Sequence, residues 1–124
     1  MKGLVKAAKA MSDENRLRML SLLLVRECCV CEVMQVLKVS QTRASRNLKL
    51  LHDAGFLKVR REGLWAYYSV DKANLGGYIS LLLSAVERGL AGNKITDLDR
   101  KHLKQARRLG PHCFSPLVAE KAPA

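Results

Sequence analysis

Two amphipathic helical segments joined by only three residues are the feature that most constrains the fold of this chain. The first segment covers about residues 33–37, the connection is Lys38 to Ser40, and Ser40 is a good N-cap for the second. The apolar stripe of the second segment stops at Ala54 and Gly55, a typical helix C-terminus. Two helices with so short a connection form a helix-turn-helix.

Two β-compatible runs follow directly. They cover residues 56–61 and 64–69 and flank Glu62 and Gly63, a two-residue turn with glycine second. A hairpin in this position is a wing, so we expect a mainly α fold with a small β-hairpin, a winged helix-turn-helix. Helical periodicity also predicts helices over about 4–12, 13–25, 75–90 and 97–109, with Ser12 and Thr96 as N-caps.

The length of 124 residues suits a single core. We expect a winged helix-turn-helix DNA-binding and dimerisation domain at residues 1–92 and a basic C-terminal tail with a helix at 93–124. Because a wide apolar stripe needs a partner surface, the helix over 75–90 predicts a homodimer. The residues of that stripe are Leu75, Ile79, Leu82, Leu83, Val86 and Leu90.

The balance of charge points to a polyanionic partner. The chain carries 22 Lys and Arg against 11 Asp and Glu, a formal net charge of +11, which favours double-stranded operator DNA. No uninterrupted apolar run reaches the ~18 residues of a membrane span. The lysines at positions 2 and 6 do not suit an export signal, so we expect a cytoplasmic protein. An enzyme is disfavoured because no Cys-x-x-Cys motif or anion-binding loop accompanies a cysteine.

The second helix of the helix-turn-helix presents small polar and basic side chains opposite its buried stripe, as a recognition helix must. Arg46 is the best candidate to read guanine, because its planar guanidinium group can form two hydrogen bonds to that base. Gln41 can pair with adenine in the same way. The wing adds further basic residues, although exposed strands also carry charge to prevent edge pairing. The predicted DNA-binding residues are Gln41, Thr42, Ser45, Arg46, Lys49, Arg60 and Arg61.

Three cysteines, Cys28, Cys29 and Cys31, lie within four residues, and a fourth, Cys113, lies far downstream. A reducing cytosol favours metal binding or redox chemistry over structural disulfides. Thiolates select soft or borderline ions such as trivalent arsenic or antimony, cadmium, lead, zinc and monovalent copper. In an extended segment Cys29 and Cys31 share one face and Cys28 points away, whereas a turn would let all three converge.

The sequence around these cysteines resembles a known family. Residues 27–33 read Glu-Cys-Cys-Val-Cys-Glu-Val, similar to the metal-binding box Glu-Leu-Cys-Val-Cys-Asp-Leu of the ArsR/SmtB metalloregulatory repressors. The likeness includes residues 12–18, 40–48 and 61–68 and covers about residues 4–90. It implies a homodimer, joined through the first helix and the helix over 75–90, that releases DNA when arsenite or antimonite binds.

By the same resemblance Cys29 and Cys31 occupy the two cysteine positions of the box. Arsenical sensors of this type often carry a third cysteine where this chain has Met34. We expect Cys28, which is local, to supply the third thiolate, with Cys113 as the alternative. Trivalent arsenic or antimony is the expected inducer, and cadmium, lead and zinc are alternatives.

Two other functions keep the DNA-binding role and differ in whether, and by what, DNA binding is controlled. Neighbouring thiols of low pKa could sense oxidants or sulfane sulfur through a reversible disulfide. A constitutive architectural DNA-binding protein would need no signal at all, and its cysteines would be incidental. Titration with metal ions and with peroxide separates the redox sensor from a metal sensor, and unchanged DNA release after mutation of Cys29 and Cys31 would support the architectural protein.

Overall fold

Helices form most of residues 1–108, the part of the chain that the computed structural model describes. Cys113 and the end of the predicted tail helix lie outside these residues. None of the described helices has both the length and the apolar character needed to cross a bilayer. The helices are α1 (Lys2–Met11), α2 (Glu14–Val25), α3 (Val30–Leu37), α4 (Gln41–Asp53), α5 (Gly77–Gly89) and α6 (Lys94–Gln105), and the strands are β1 (Cys28–Cys29), β2 (Lys58–Glu62) and β3 (Trp65–Ser69).

The helix-turn-helix is formed by α3 and α4, as predicted. Lys38 ends α3 in the left-handed conformation, with φ 57°, and the Ser40 hydroxyl accepts a hydrogen bond from the Arg43 N–H at 3.1 Å. This cap satisfies one of the N–H groups that a helix start leaves without a partner. Leu48 and Leu51 bury the inner face of α4 in the core.

Two predicted N-caps are wrong by one and three residues. Asp13, not Ser12, caps α2, because its carboxylate accepts from the Arg16 N–H at 3.0 Å. The Ser12 hydroxyl instead donates to the Lys9 carbonyl at the end of α1. Asn93 caps α6 by accepting from two backbone N–H groups, and Thr96 is buried inside the first turn.

The wing is a hairpin of β2 and β3, and its loop lies one residue later than predicted. Glu62 pairs with Trp65, so the loop is Gly63 and Leu64 rather than Glu62 and Gly63. Gly63 has φ +61°, a conformation that suits glycine at the first position of a two-residue hairpin loop. The hairpin itself is therefore confirmed, but its register is corrected.

A third strand, β1, was not predicted. It pairs antiparallel with β3, so that Cys28 lies opposite Tyr68 and Cys29 opposite Tyr67, and the sheet order is β1-β3-β2. Two residues are too short a run to show strand periodicity in a sequence. The cysteine segment is consequently part of the wing sheet.

The apolar stripe over residues 75–90 packs differently from the prediction. Ile79, Leu83 and Val86 are buried in the core of their own protomer, and the other stripe residues pack against that core in part. Because the stripe already has a partner surface, it does not need a second copy. The exposed apolar residues nearby are Tyr78 and Leu81 of α5 and Leu4 and Val5 of α1.

Helix α6 packs against α2. Leu103 joins the main core, and the buried Asp99 accepts two hydrogen bonds of 2.8 Å from the Arg18 guanidinium. A two-point pair of this kind fixes orientation as well as distance. The end of α6 is thereby held near the start of α3. The division of the chain into domains at residue 92 stays a prediction.

Candidate functional site

Cys29 and Cys31 form a small site of their own between the wing and α3, here called the thiol pair. Their sulfur atoms lie 3.0 Å apart, and both residues are buried with Tyr67 in a cluster separate from the main core. Cys29 is the N-cap of α3 and Cys31 its second residue. A thiol at a helix N-terminus is placed where the backbone favours its thiolate.

Cys28 faces the opposite side of β1 and belongs to the main core. Its exposure is 0 %, and its thiol donates to the Arg26 carbonyl at 3.5 Å. Burial, together with the nearby Glu32 carboxylate, raises the pKa of the Cys28 thiol to about 12. The structure therefore does not bring Cys28 to the thiol pair, because successive side chains of a strand point to opposite faces.

Glu32 is a buried carboxylate next to the thiol pair. It accepts a hydrogen bond from the Cys29 N–H at 3.0 Å, and it forms ion pairs with Arg26 at 2.8 Å and with Arg108 at 3.1 Å. Burial alone would raise the pKa of Glu32, but the hydrogen bonds from Arg26, the Cys29 N–H and Arg108 hold it below its ordinary value. One carboxylate thus joins the end of α2, the start of α3 and the segment after α6.

Aromatic and cationic groups cover the thiol pair. Trp65 stacks on Tyr67 with ring centroids 5.7 Å apart, and the guanidinium groups of Arg60 and Arg108 lie 4.4 and 4.6 Å from the Tyr67 centroid. Such contacts stabilise a cation over the electron-rich face of a ring. This cover was not predicted, although the alternation of Trp65 and Tyr67 along a strand placed them on one face.

Arg60 makes a contact that the sequence did not predict. Its guanidinium binds the Glu27 carboxylate at 2.7 and 3.1 Å, and a further ion pair joins it to Glu62. These hydrogen bonds raise the pKa of Arg60. The predicted DNA-binding residue is therefore engaged with the segment that leads into the thiol pair.

The predicted recognition surface lies on the outer side of α4. Arg46 is exposed and forms no ion pair with the residues described, and the same is true of Arg61 in the wing. Lys49 pairs with Asp53 at 3.2 Å, an exposed contact worth little. Thr42 is exposed, whereas Gln41 and Ser45 are half-buried and hydrogen-bonded to each other at 2.9 Å.

Arg43 is a candidate DNA contact that the sequence analysis missed. It is exposed in the first turn of α4, where helix-turn-helix proteins contact bases or phosphates. The sequence signal that could have identified Arg43 is a basic residue between two predicted DNA contacts.

A complete metal site is absent from residues 1–108, where no three Cys, His, Asp or Glu side chains are grouped to hold an ion. The thiol pair supplies two donors. The chemistry of these donors nevertheless suits a soft ion, because sulfur ligands prefer such ions to magnesium or calcium.

Residues 13–59 match the model of the arsR family of bacterial regulatory proteins. The arsenical resistance operon repressor of Bacillus subtilis is 32% identical over 81 residues, which cover 64% of this chain and 77% of that protein. The chain belongs to the arsR family. The arsenic resistance transcriptional regulator ArsR1 of Pseudomonas putida is 47% identical over 62 residues, 48% of each chain, so the match spans about half the length of that relative.

Two solved structures share the fold. HlyU from Vibrio cholerae superposes with a TM-score of 0.61 at 27% identity, covering 73% of this chain and 94% of that one. The homodimeric winged helix-turn-helix DNA-binding domain of Mb0332 from Mycobacterium bovis has a TM-score of 0.61 at 27% identity, covering 75% and 82%. The predicted fold class is confirmed. The relatives from Bacillus subtilis and Pseudomonas putida and the Mb0332 domain are named as transcriptional regulators or repressors rather than enzymes, as expected.

Glu32→Gln tests the role of the buried carboxylate. Because the pKa of Glu32 is lowered on folding, its contribution to stability is present above the unfolded pKa and is lost as pH falls through the folded one. We expect the variant to be roughly 1–3 kcal/mol less stable than the wild type at pH 7 and the difference to narrow in acid. Urea unfolding between pH 3 and 7 measures both effects.

The exposed Glu62→Gln is the matched control and should leave the pH profile of stability almost unchanged. A constant stability difference between the Glu32→Gln variant and the wild type across this pH range would contradict the assignment.

Proposed function

We propose that this protein is a homodimeric, metal-responsive repressor that binds double-stranded operator DNA in the cytoplasm and releases it when trivalent arsenic or antimony binds the thiol pair. The observation that carries the proposal is the 3.0 Å separation of the two sulfur atoms at the start of α3. Relatives named as regulators of arsenic and cadmium resistance support it. Cadmium, lead and zinc are the competing inducers.

The thiol pair adjoins both elements that would touch DNA. Cys31 belongs to α3, which precedes the recognition helix α4, and Cys29 belongs to the strand that pairs with the wing. Drawing the two sulfurs onto one ion would shift the start of α3 and the edge of the wing sheet together. A coupling of about 1–3 kcal/mol is enough to weaken DNA binding about 5- to 150-fold.

On the DNA side, Arg46 is the proposed base-reading residue because its exposed guanidinium has no carboxylate partner among residues 1–108. Thr42 and Lys49 would bond phosphates, as would Arg61 at the edge of the wing. Gln41 and Ser45 would have to exchange their mutual hydrogen bond for one to DNA. Arg60 is assigned instead to the link between the wing and the thiol pair.

For assembly, we propose a two-fold dimer through the apolar residues that remain exposed on α1 and α5. Leu81 is 71% exposed and Tyr78 42%. Leu4 and Val5 of α1 are also exposed, and α1 approaches α5 where Gly3 lies against the Tyr78 hydroxyl. A face of this kind is self-complementary when it meets its own copy across a two-fold axis. A pseudo-palindromic operator would match this symmetry.

A redox switch is the second candidate function, favoured by the same sulfur separation. Peroxide would oxidise the two thiols to a disulfide and be reduced to two waters, with no metal involved. Operator release by peroxide but not by arsenite would favour this candidate over the proposal.

Serine substitution of the thiol pair tests the inducer site. The Cys29→Ser and Cys31→Ser variants should bind operator like the wild type but stay bound when arsenite is added, because each has lost one of the two sulfur donors. The control is Cys28→Ala, which alters the buried cysteine on the other face of β1 and should release normally. Fluorescence anisotropy of labelled operator during an arsenite titration measures the release, and a wild-type response from both serine variants would place the site elsewhere.

Arg46→Ala tests the recognition surface. We expect a loss of about 1–3 kcal/mol in operator affinity and relaxed preference at one base pair of each half-site. Lys49→Ala should weaken binding to all sequences alike and reduce its salt dependence. Competition binding with operators mutated one base pair at a time distinguishes the two, and an unchanged base preference in Arg46→Ala would refute the assignment.

Leu81→Glu tests the dimer. A charge at the centre of the proposed interface should convert the dimer to a monomer at micromolar concentration, because burying an unpaired carboxylate is costly. Leu64→Glu introduces the same charge at the exposed wing loop and should leave the dimer intact. Sedimentation velocity gives the mass of each species; a dimeric Leu81→Glu would exclude this face.

A further inference from the structure

Arg16, the third residue of α2, joins three helices through its side chain. Its Nε donates to the Ala10 carbonyl at 2.7 Å, and one terminal nitrogen donates to the Lys9 carbonyl at 3.2 Å. The other terminal nitrogen donates to the Asn47 carboxamide oxygen at 3.0 Å. One guanidinium group therefore links the end of α1, the start of α2 and the recognition helix α4.

The contacts of Arg16 with α1 are favourable because of where they lie. Lys9 and Ala10 are near the end of α1, where carbonyl groups lack the N–H partners that a continuing helix would supply. A cation is also favoured there, because the helix dipole places partial negative charge at the C-terminus. The Arg16 N–H donates to the Asp13 carboxylate that caps α2. The side chain is thus fixed relative to both α1 and α2.

Asn47 is the polar member of the buried face of α4, and it is 8% exposed. The other buried residues of this helix are Ala44, Leu48 and Leu51. Burial of apolar surface is non-directional, whereas a hydrogen bond fixes both a distance and a direction. A single buried asparagine sets the register of helices in coiled coils for this reason. The bond from Arg16 therefore fixes how α4 is turned relative to α1.

The two ends of this link lie next to the surfaces proposed for DNA and for the second copy of the chain. Asn47 directly follows Arg46, the proposed base-reading residue. On α1, Ala10 is buried in the core, whereas Leu4 and Val5 are exposed and belong to the proposed dimer face. In a two-fold dimer, the orientation of α4 relative to α1 therefore sets the distance and the angle between the two recognition helices.

We propose that Arg16 and Asn47 are positioning residues that set the half-site spacing of the operator, because their hydrogen bond ties each recognition helix to the dimer interface. This inference rests on the proposed function, which supplies the dimer and the DNA. One added base pair moves a half-site by about 3.4 Å and rotates it by about 34°. A pair of helices held in one orientation rejects such a change, whereas a loosely held pair accepts it.

The spacing preference is measured on DNA that the full wild-type chain selects from a random-sequence library, which should contain paired half-sites at one separation. Duplexes with these half-sites one base pair closer or farther apart should bind the wild type about 10- to 100-fold more weakly, a cost similar to that of one mismatched base pair. Asn47→Ala removes the acceptor and should bind the three duplexes within about threefold of one another. Arg16→Lys keeps the charge but has one nitrogen in place of three, so it should lose the preference as well.

Two further variants are controls. Asn47→Asp keeps an acceptor oxygen and should retain the spacing preference, whatever its overall affinity for DNA. Arg18→Lys breaks the two-point contact with Asp99, which attaches α6 to α2 and does not involve α4, so it should prefer the same spacing as the wild type. Because the readout is the ratio of one variant's affinities for three duplexes, a uniform loss of folded protein does not change it.

A wild-type spacing preference in Asn47→Ala would overturn the inference. Arg16→Lys breaks the same hydrogen bond from the other side and decides in its place if Asn47→Ala does not fold. Loss of the preference in Arg18→Lys would also overturn it, as would a monomeric Asn47→Ala in sedimentation velocity, because a residue that only positions α4 leaves the dimer intact. A wild-type protein that selects no paired half-sites would instead refute the proposed function.

Discussion

The short antiparallel pairing between β1 and β3 is the constraint on which the site depends. It places Cys28 opposite Tyr68 and Cys29 opposite Tyr67, and the alternation of side chains along a strand then sends the two cysteines to different faces. One becomes a buried apolar residue of the core and the other a member of the thiol pair. The same pairing makes the cysteine segment an edge of the wing sheet, so the thiol pair and the wing share one sheet.

Buried ionic contacts hold this arrangement together where the apolar core ends. Glu32 has little contact with water and is stabilised by two arginines and a backbone N–H. Removing one partner of such a group leaves a charge without compensation, which is far more costly than losing an exposed ion pair. Arg60 extends the network into β2 through Glu27. A change at the thiol pair therefore meets charged partners from the wing, from α2 and from the segment after α6.

The sequence predicted those parts of the fold whose signals are local. The helix-turn-helix followed from a three-residue connection with Ser40 as cap, and the hairpin followed from two β-compatible runs around Gly63. Local patterns could not show β1, because two residues have no periodicity and this strand exists only through its pairing with Tyr67 and Tyr68. The stripe on α5 has the correct helical period, but periodicity does not reveal which apolar surface a helix covers.

The sequence likewise predicted only part of the candidate site. The expected grouping of Cys29 with Cys31 agrees with their sulfur separation of 3.0 Å, although Cys31 lies in α3 and not in an extended segment. The expectation that Cys28 would join them required a turn that does not form. The approach of Arg107 and Arg108 to residues more than 70 positions earlier is a tertiary contact with no local signature. Arg60 was predicted to contact DNA because it is a basic residue of the wing. Its pairing with Glu27, 33 residues earlier, is a tertiary contact that the sequence does not show.

The most direct test uses the reciprocity between arsenical binding and operator binding. If an arsenical at the thiol pair weakens operator binding, the operator must weaken arsenical binding by the same factor. Arsenite affinity is measured by calorimetry for the free protein and for the protein saturated with operator DNA. We expect a lower arsenite affinity for the DNA complex, by the factor seen in the DNA-release titration. Equal arsenite affinities in the two forms would contradict the proposed coupling.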